Sequence, residues 1–502
     1  MTLLFVLFGV GLLLELLLHV PGILWRSRKF LAAASLLVTA FASGMLLVAY
    51  YDTLWSILLL LASFYRMFNC LRIAEGRMHE QYLQRATLRT TVALALIQGL
   101  VGLLWWGWLH WDETEHFVWL LIALSQLGAA LVLFSSTTRR LRRTAWPARA
   151  QHLSDSELPT LTVAIPARNE TDDLQACLES LIASDYPKLE ILVLDDCSQN
   201  RRTPEIIRSF AHAGVRFIEG KPHKPSWQPK TQAYAQLLHE ANGEYVVFCG
   251  VDVRFAPASL RRLVEVLLHK RKTMLCLLPR RAPNMRSRFA IVQAMRYAWE
   301  LAPPRRLFRR PPVLSSCWIA RREALKQAGG FEAVARSILP EAHFAKVLSG
   351  KNDGYSFMRG SARLGILSVK PAHAQHDTAI RMRYPQLRRR PENVFVLGQA
   401  YGFFLLMPFV LAVAGFWVPI GAAAQAAATL AALLHTLAFL KIVTATRTGT
   451  AWLGAIALPF GLLYDLALLH ISMWKYEFSV IEWKGRNICI PAMRVISHLP
   501  KV

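Results

Sequence analysis

Cysteine, acid and internal repetition are all scarce in this chain, and each shortage excludes something. The seven cysteines among 502 residues form no C-x-x-C pair, which argues against a zinc site or a disulfide scaffold and fits scattered, reduced thiols. Only 18% of residues are charged, 54% are hydrophobic and the mean hydropathy is +0.30, so the chain is neither disordered nor a coiled coil. Acid is rarer than base: 33 Asp and Glu against 58 Lys and Arg leave a formal net charge of +25. No recognised nucleic-acid module accompanies that charge, and basic loops beside anionic headgroups account for it; no nucleic-acid partner is expected. The lack of internal repeats counts against a transporter assembled from repeated halves.

What is present in excess is apolar sequence, gathered into two blocks, roughly 3–136 and 394–474. A helix crosses the hydrocarbon core with about 20 apolar residues. Candidate spans are 3–25, 30–50, 53–68, 91–110 and 117–134, then 395–414, 419–440 and 452–474. The first of these lacks a basic leader and a small-residue cleavage site, so it is expected to be a retained span. Arg26, Arg28 and Lys29, then Arg66 to Arg89, then Arg139 to Arg149 alternate with loops holding Asp52 or Asp112, Glu113 and Glu115. The positive-inside rule then places the middle of the chain in the cytoplasm, at an inner membrane crossed several times. Three C-terminal spans would strand Lys475, Lys484, Arg486 and Arg494 on the wrong side. Either the stretch from Gly454 to Pro459 breaks the last segment into a re-entrant pair, or one boundary is misplaced.

The expected organisation is therefore 1–137 apolar, 138–157 a basic linker, 158–392 a folded domain, 393–475 apolar and 476–502 a tail. In the folded domain, short apolar runs alternate with helical patterns, the mark of a mostly parallel α/β sheet. Strands are expected at 161–165, 190–194, 215–218 and 244–249, with helices at 172–183, 204–213 and 230–241. In such sheets ligands bind beyond the carboxyl ends of the strands. Glu170, Asp195, Asp196 and Asp252 all fall there. Each alone reads as an ordinary turn residue; together they can accept from a ribose or base and hold a divalent cation on a diphosphate.

Those same stretches resemble the family-2 glycosyltransferases, whose domain has the GT-A fold. Val163-Ala-Ile-Pro166-Ala-Arg-Asn169-Glu170 is similar to the family's V-x-x-P-x-x-N-E strand, and Ile191 to Ser198, with Asp195 and Asp196, to its V-V-D-D-G-S motif. Lys230-Thr-Gln-Ala233 loosely resembles G-K-x-x-A, and Gly243 to Asp252 resembles G-E-Y-V-V-F-x-D-A-D. Gly329-Gly-Phe331 followed by Pro340-Glu341-Ala342 resembles G-G-F…E-D, Arg381-Met-Arg383-Tyr384 stands near the Q-x-x-R-W position, and Trp483-Lys-Gly485-Arg486 resembles a tail of lipid-acting membrane relatives. The resemblance implies an α/β GT-A domain inserted between two bundles of transmembrane helices. It implies nucleoside contacts from Pro166, Glu170, Asp195 and Asp196, and Mg²⁺ or Mn²⁺ at Asp252. Lys230, Arg381, Arg383 and Tyr384 would lie near the diphosphate or acceptor. The implied reaction is transfer of a sugar, with inversion, from a UDP- or GDP-sugar to a lipid or glycan at the membrane.

Two departures bear on catalysis. Gly250 replaces the first acid of D-x-D, and Ala342 replaces the family's basic aspartate. Glu341, about 100° away around a helix, and His343, whose ordinary proton affinity suits neutral pH, are the substitute bases. An acceptor that is already an anion would need neither. A processive polysaccharide synthase and a degenerate domain that binds nucleotide sugar to regulate a partner are the competing readings. Arg286, Arg288, Arg296, Arg305, Arg306, Arg309 and Arg310, mixed with aromatics, suggest an interfacial helix on anionic lipid. His373 and His376 follow a late strand where a metal-binding histidine is conceivable.

Overall fold

The computed structural model describes residues 2–20, 23–50, 54–76, 88–110, 115–147, 152–283, 289–303, 310–350 and 354–489. The chain forms two compact units, 1–126 with 387–429 and 127–386 with 430–502.

The first unit is helical: α1 (Thr2–Leu17), α2 (Trp25–Tyr50), α3 (Leu54–Ala74), α4 (Leu88–His110) and the first part of α5 (Glu115–Arg143). Because every peptide group in such a helix is satisfied internally, long apolar sequence is stable in this form. Charge is kept inside the bundle. Arg66 on α3 is 1% exposed and donates to Glu15 Oε2 of α1 at 2.7 Å and to Gln98 Oε1 of α4 at 2.8 Å. Thr91 donates to Glu15 Oε1 at 3.3 Å. α1 and α2 meet closely at Gly11, where a Cβ would lie 2.6 Å from Thr39 Oγ1. Removing one member of a buried pair strands the other. Arg66→Ala is therefore expected to destabilise the protein by about 3–5 kcal/mol, read as a lower Tm in detergent.

The second unit carries the sheet. Its seven strands run in the order β3-β2-β1-β4-β8-β6-β9, from β1 (Leu161–Ala167), β2 (Leu189–Asp195), β3 (Val215–Glu219), β4 (Tyr245–Cys249), β6 (Met274–Leu278), β8 (Cys317–Arg321) and β9 (Tyr355–Arg359). β1 to β4 are parallel, and β8 is antiparallel to both β4 and β6. A smaller sheet, β5-β10-β7, comes from β5 (Val253–Phe255), β7 (Arg280–Arg281) and β10 (Ile366–Ser368). Helices α6 (Asp172–Ile182), α7 (Arg202–Ser209), α8 (Pro229–Glu240), α9 (Ser259–His269), α10 (Ile291–Leu301), α11 (Arg322–Gln327), α12 (Pro340–Ser349) and α13 (Ala372–Gln386) complete the domain. The expected elements in 161–249 stand within a few residues of those observed.

The central strands are buried on both faces, which is why they read as continuous apolar runs. One face packs Val163, Ile165, Val193 and Val247 against Leu174, Leu178 and Leu263. The other packs Ala164, Leu192, Phe248 and Trp318 against Tyr234, Phe331 and Phe344. Trp318 and Phe248 stack at 4.3 Å between ring centres.

After the domain come α14 (Pro391–Ala414, with a π-type turn at Gly402–Leu406), α15 (Ala422–Thr446) and α16 (Ala451–Glu477). Among the described residues six helices, α2, α3, α5, α14, α15 and α16, are long and apolar enough to cross a membrane. They make this a multi-pass membrane protein; α1 and α4 contribute the shorter apolar stretches Val6–Leu17 and Thr91–Gly102. The re-entrant alternative is corrected: α16 is continuous through Pro459. Its inner face holds it there, with Gly461 seated so closely on Ile291 that a Cβ would lie 2.8 Å from Ile291 Cδ1.

Candidate functional site

A cavity of about 530 Å³ opens at the carboxyl ends of β1 and β4, within the range of roughly 300–1,000 Å³ usual for small-molecule sites. Pro166 reaches it from the end of β1, Glu170 from the turn after β1, Asp252 from the turn after β4, Lys230 from the start of α8 and Arg381 from α13. The turns are tight. Asn169 and Cys197 both lie in the left-handed region, at φ 49° and 50°, a conformation uncommon outside glycine and found most often at functional turns. Asn169 Oδ1 accepts from Gln199 N at 2.7 Å, and its N–H donates to Ser198 Oγ at 2.9 Å, which ties the two turns together.

The cavity is lined by more positive than negative charge. Lys230, Arg296, Lys370 and Arg381 face it. Lys370 Nζ lies 3.5 Å from Asp252 Oδ2. Burial depresses the proton affinity of all four cations: Lys370 falls to about 8 despite Asp252, Arg381 falls to about 10, and Lys230 is lowered although Glu341 opposes the shift. Among the described residues no carboxylate lies within 4.0 Å of Lys230, Arg296 or Arg381. Uncompensated buried cations are costly, and a phosphorylated ligand would relieve them.

The acidic residues divide into two groups. Glu170 faces the cavity but is also salt-bridged to Lys484, which donates to Arg168 O at 2.7 Å as well. Burial raises the Glu170 carboxyl above the ordinary range, with Lys484 opposing. Asp196 lies outside the cavity lining, where Arg486 donates to its Oδ2 at 2.7 Å and to its backbone oxygen at 3.0 Å. Burial also raises Asp196, against Arg486. Asp195 turns back to accept from Ser198 N at 3.1 Å and organises its own turn.

Six expected site residues are not brought to the cavity, Asp195 and Asp196 together with Arg383, Tyr384, His343 and Glu341, and these placements correct the sequence reading. Arg383 is 1% exposed and ion-paired to Asp465 of α16, with its guanidinium 4.3 Å from the Trp299 ring centre. Tyr384 is fully buried and donates to Glu477. On a helix, Arg383 is turned about 200° from Arg381, while Tyr384, only about 60° away, is held against α16 by its bond to Glu477. His343 lies with Nε2 3.4 Å from Ala328 O. Glu341 is fully buried, and its side-chain oxygens have no hydrogen-bonding partner beyond its own backbone. Ala342 packs against the aromatic core.

Burial raises the Glu341 carboxyl, with Lys230 opposing. The folded state therefore holds this proton where the unfolded chain, at about 4.3, has lost it. Its stabilising effect is complete at low pH and disappears as pH rises through the raised value. Glu341→Gln should make the protein more stable than wild type near pH 8 and flatten that dependence, as measured by denaturant midpoints at pH 5 and 8.

Several cavity residues escaped the sequence reading. Lys370 follows β10, which pairs antiparallel to β5 beside Asp252; only that pairing brings it close. Arg296 belongs to the arginine-rich run expected on lipid, yet it lines the cavity, while Arg310 pairs with Glu300 at 2.8 Å. Arg286, Arg288, Arg305, Arg306 and Arg309 lie outside the described residues. The tail hairpin β11 (Glu482–Trp483) and β12 (Arg486–Asn487) closes one wall, with Arg381 5.7 Å from the Trp483 ring centre. Its motif was visible, but its partners were not. His373 lines the cavity; His376 does not, and its Nδ1 is 3.6 Å from Asp377.

A mostly parallel sheet with its acidic turns at one edge and a basic cavity beyond them defines a domain of the GT-A class. Residues 162–329 match the model described as Glycosyl transferase family 2, so this domain is similar to the family-2 glycosyltransferases. It is 25% identical over 185 residues to the probable glycosyltransferase YdaM of Bacillus subtilis, covering 35% of this chain and 44% of that one. It is 25% identical over 116 residues to the ceramide glucosyltransferase of Komagataella phaffii, covering 21% and 22%. The chain thus spans less than half the length of these curated relatives. Among solved structures it is similar to the mannosyltransferase PcManGT from Pyrobaculum calidifontis in complex with GDP-Man and Mn²⁺, at 22% identity and a TM-score of 0.42, covering 72% of this chain and 99% of that one.

Proposed function

We propose that this protein transfers a hexosyl group from a UDP- or GDP-sugar to a lipid or glycan acceptor, with inversion, on the cytoplasmic side of a membrane. The observation that carries the reading is that Glu170, Asp252, Lys230 and Arg381, from four separate stretches of chain, line one cavity at the sheet's carboxyl edge. Glu170 is placed to accept from the nucleoside once Lys484 yields. Lys230 and Arg381 supply positive charge where the diphosphate gains negative charge as it leaves, the arrangement that lowers such barriers most.

Asp252 and His373 both face the cavity, and one carboxylate with one imidazole suits Mg²⁺ or Mn²⁺ when donor phosphates and water complete the shell. Among the described residues no three ligating side chains cluster, so the protein alone does not build that shell. Such an ion would neutralise charge on the departing diphosphate.

In an inverting transfer the acceptor oxygen bonds to the sugar carbon as the bond to the diphosphate breaks, and the acceptor's proton must leave. Ala342 cannot take it. A lipid acceptor carrying a phosphate is already ionised there, and Arg296 and Lys370 offer it counter-charge. The test is transfer of labelled sugar from UDP- and GDP-sugars by the full-length protein with Mg²⁺ and native lipids. Donor binding without transfer to any lipid or glycan would replace this reading with that of a regulatory, non-catalytic domain.

A further inference from the structure

The last apolar helix, α16, has the length and composition of a membrane span but not the surroundings of one. Both of its ends are tied to the domain. At the start, Thr448 O accepts from Ala290 N at 3.0 Å and Phe289 bridges Gly449. At the finish, Tyr476 donates to Arg381 O at 2.8 Å, and Ser472 accepts from Tyr384 N at 3.0 Å. Midway, Asp465 is held by Arg383 and by Trp299 Nε1 at 2.6 Å.

A helix of 27 residues is about 40 Å long, more than the roughly 30 Å of the hydrocarbon core. Were it to cross, α10 and α13 would be carried through the membrane beside it, with Arg296, Glu300, Asp377 and Arg381 among their residues. Charge of that density does not enter hydrocarbon at tolerable cost.

The opposite face of α16 has different chemistry. Trp452, Ile456, Phe460, Leu463, Ile471 and Trp474 are 37–70% exposed. Their spacing of three, four or eight residues places them on one stripe. No Asp, Glu, Lys or Arg interrupts it, while exposed Arg447 and Lys475 stand at its two ends. Tryptophan near each end and a cation beyond it suit the zone between headgroups and acyl chains.

We infer that α16 lies in the plane of the membrane surface, its outer stripe in the lipid interface and its inner face seating the glycosyltransferase domain. This surface takes a lipid bilayer, whatever donor and acceptor the cavity uses. Lys475 lines the cavity, so the cavity rim then stands at headgroup level. The chain returns by α15 to the side on which the domain sits and stays there. Lys484 and Arg486 share that side with the domain, which removes the charge conflict created by three C-terminal spans.

The test uses the full-length protein in sealed vesicles, with Cys197 and Cys489 replaced by serine. Single cysteines at Arg447, Phe478 and the domain position Ser209 are exposed to a membrane-impermeant maleimide before and after opening the vesicles. All three should label from one side; labelling of Arg447→Cys and Phe478→Cys from opposite sides would overturn the inference. Bimane on Ile456→Cys and Phe460→Cys should then lose more fluorescence to nitroxides near the headgroups than to nitroxides deep in the acyl chains. Strongest quenching by deep nitroxides at Phe460 identifies a span, and no quenching at either site identifies a protein partner. Either result refutes the placement.

Discussion

Asp252→Ala is expected to lower kcat/KM for sugar transfer by about 10²–10³-fold, the usual effect of removing one preorganised electrostatic group from a transition-state site. The residue is the one acid of the β4 turn that faces the cavity, since Gly250 stands where the family's other acid would be. A Cβ at Gly250 would lie 2.5 Å from Asp252 Oδ1, so an acid placed there requires the Asp252 side chain to turn aside. The loss should fall mainly on kcat if Asp252 acts on the leaving diphosphate, and mainly on KM if it serves only to bind donor. Measuring initial rates over a range of donor and Mg²⁺ concentrations separates the two. Unchanged kcat/KM would sink the enzymatic reading of this cavity.

The second large effect is structural. Arg383→Ala should destabilise the second unit by about 3–5 kcal/mol, because Asp465 is left buried without its guanidinium. Both side chains are 2% exposed. The same change removes the cation lying over Trp299. An apolar pair of similar volume, Arg383→Met with Asp465→Leu, should recover much of the stability, as buried ion pairs often tolerate such exchange. Denaturation midpoints of the single and double variants measure the coupling. Additive losses would show that the two residues act independently and that some other contact fastens α16 to α13.

These two positions differ in how far they could be read in advance. Asp252 follows a strand of continuous apolar residues, and that pattern identifies the strand, its end and the side on which a ligand sits. Arg383 follows Arg381 by two residues in a motif associated with substrate, yet helical geometry turns one toward the cavity and the other toward α16. Glu341 and His343 illustrate the same limit, since one lies under the domain's core and the other points at the backbone of Ala328. Lys484 and Arg486 illustrate a further one: they approach Glu170 and Asp196 across more than 280 residues, and no local pattern encodes such a meeting.

The linear order of residues determined the alternation of strand and helix, the class of the domain, the acidic edge of its sheet and the presence of membrane-length helices. These follow from hydrophobic periodicity and turn chemistry, which act between near neighbours along the chain. Tertiary structure alone decided which charges pair, which face the cavity and where the last apolar helix rests. Those outcomes depend on desolvation and on distances of a few ångströms between segments remote in the chain, and both come into being only when the segments pack.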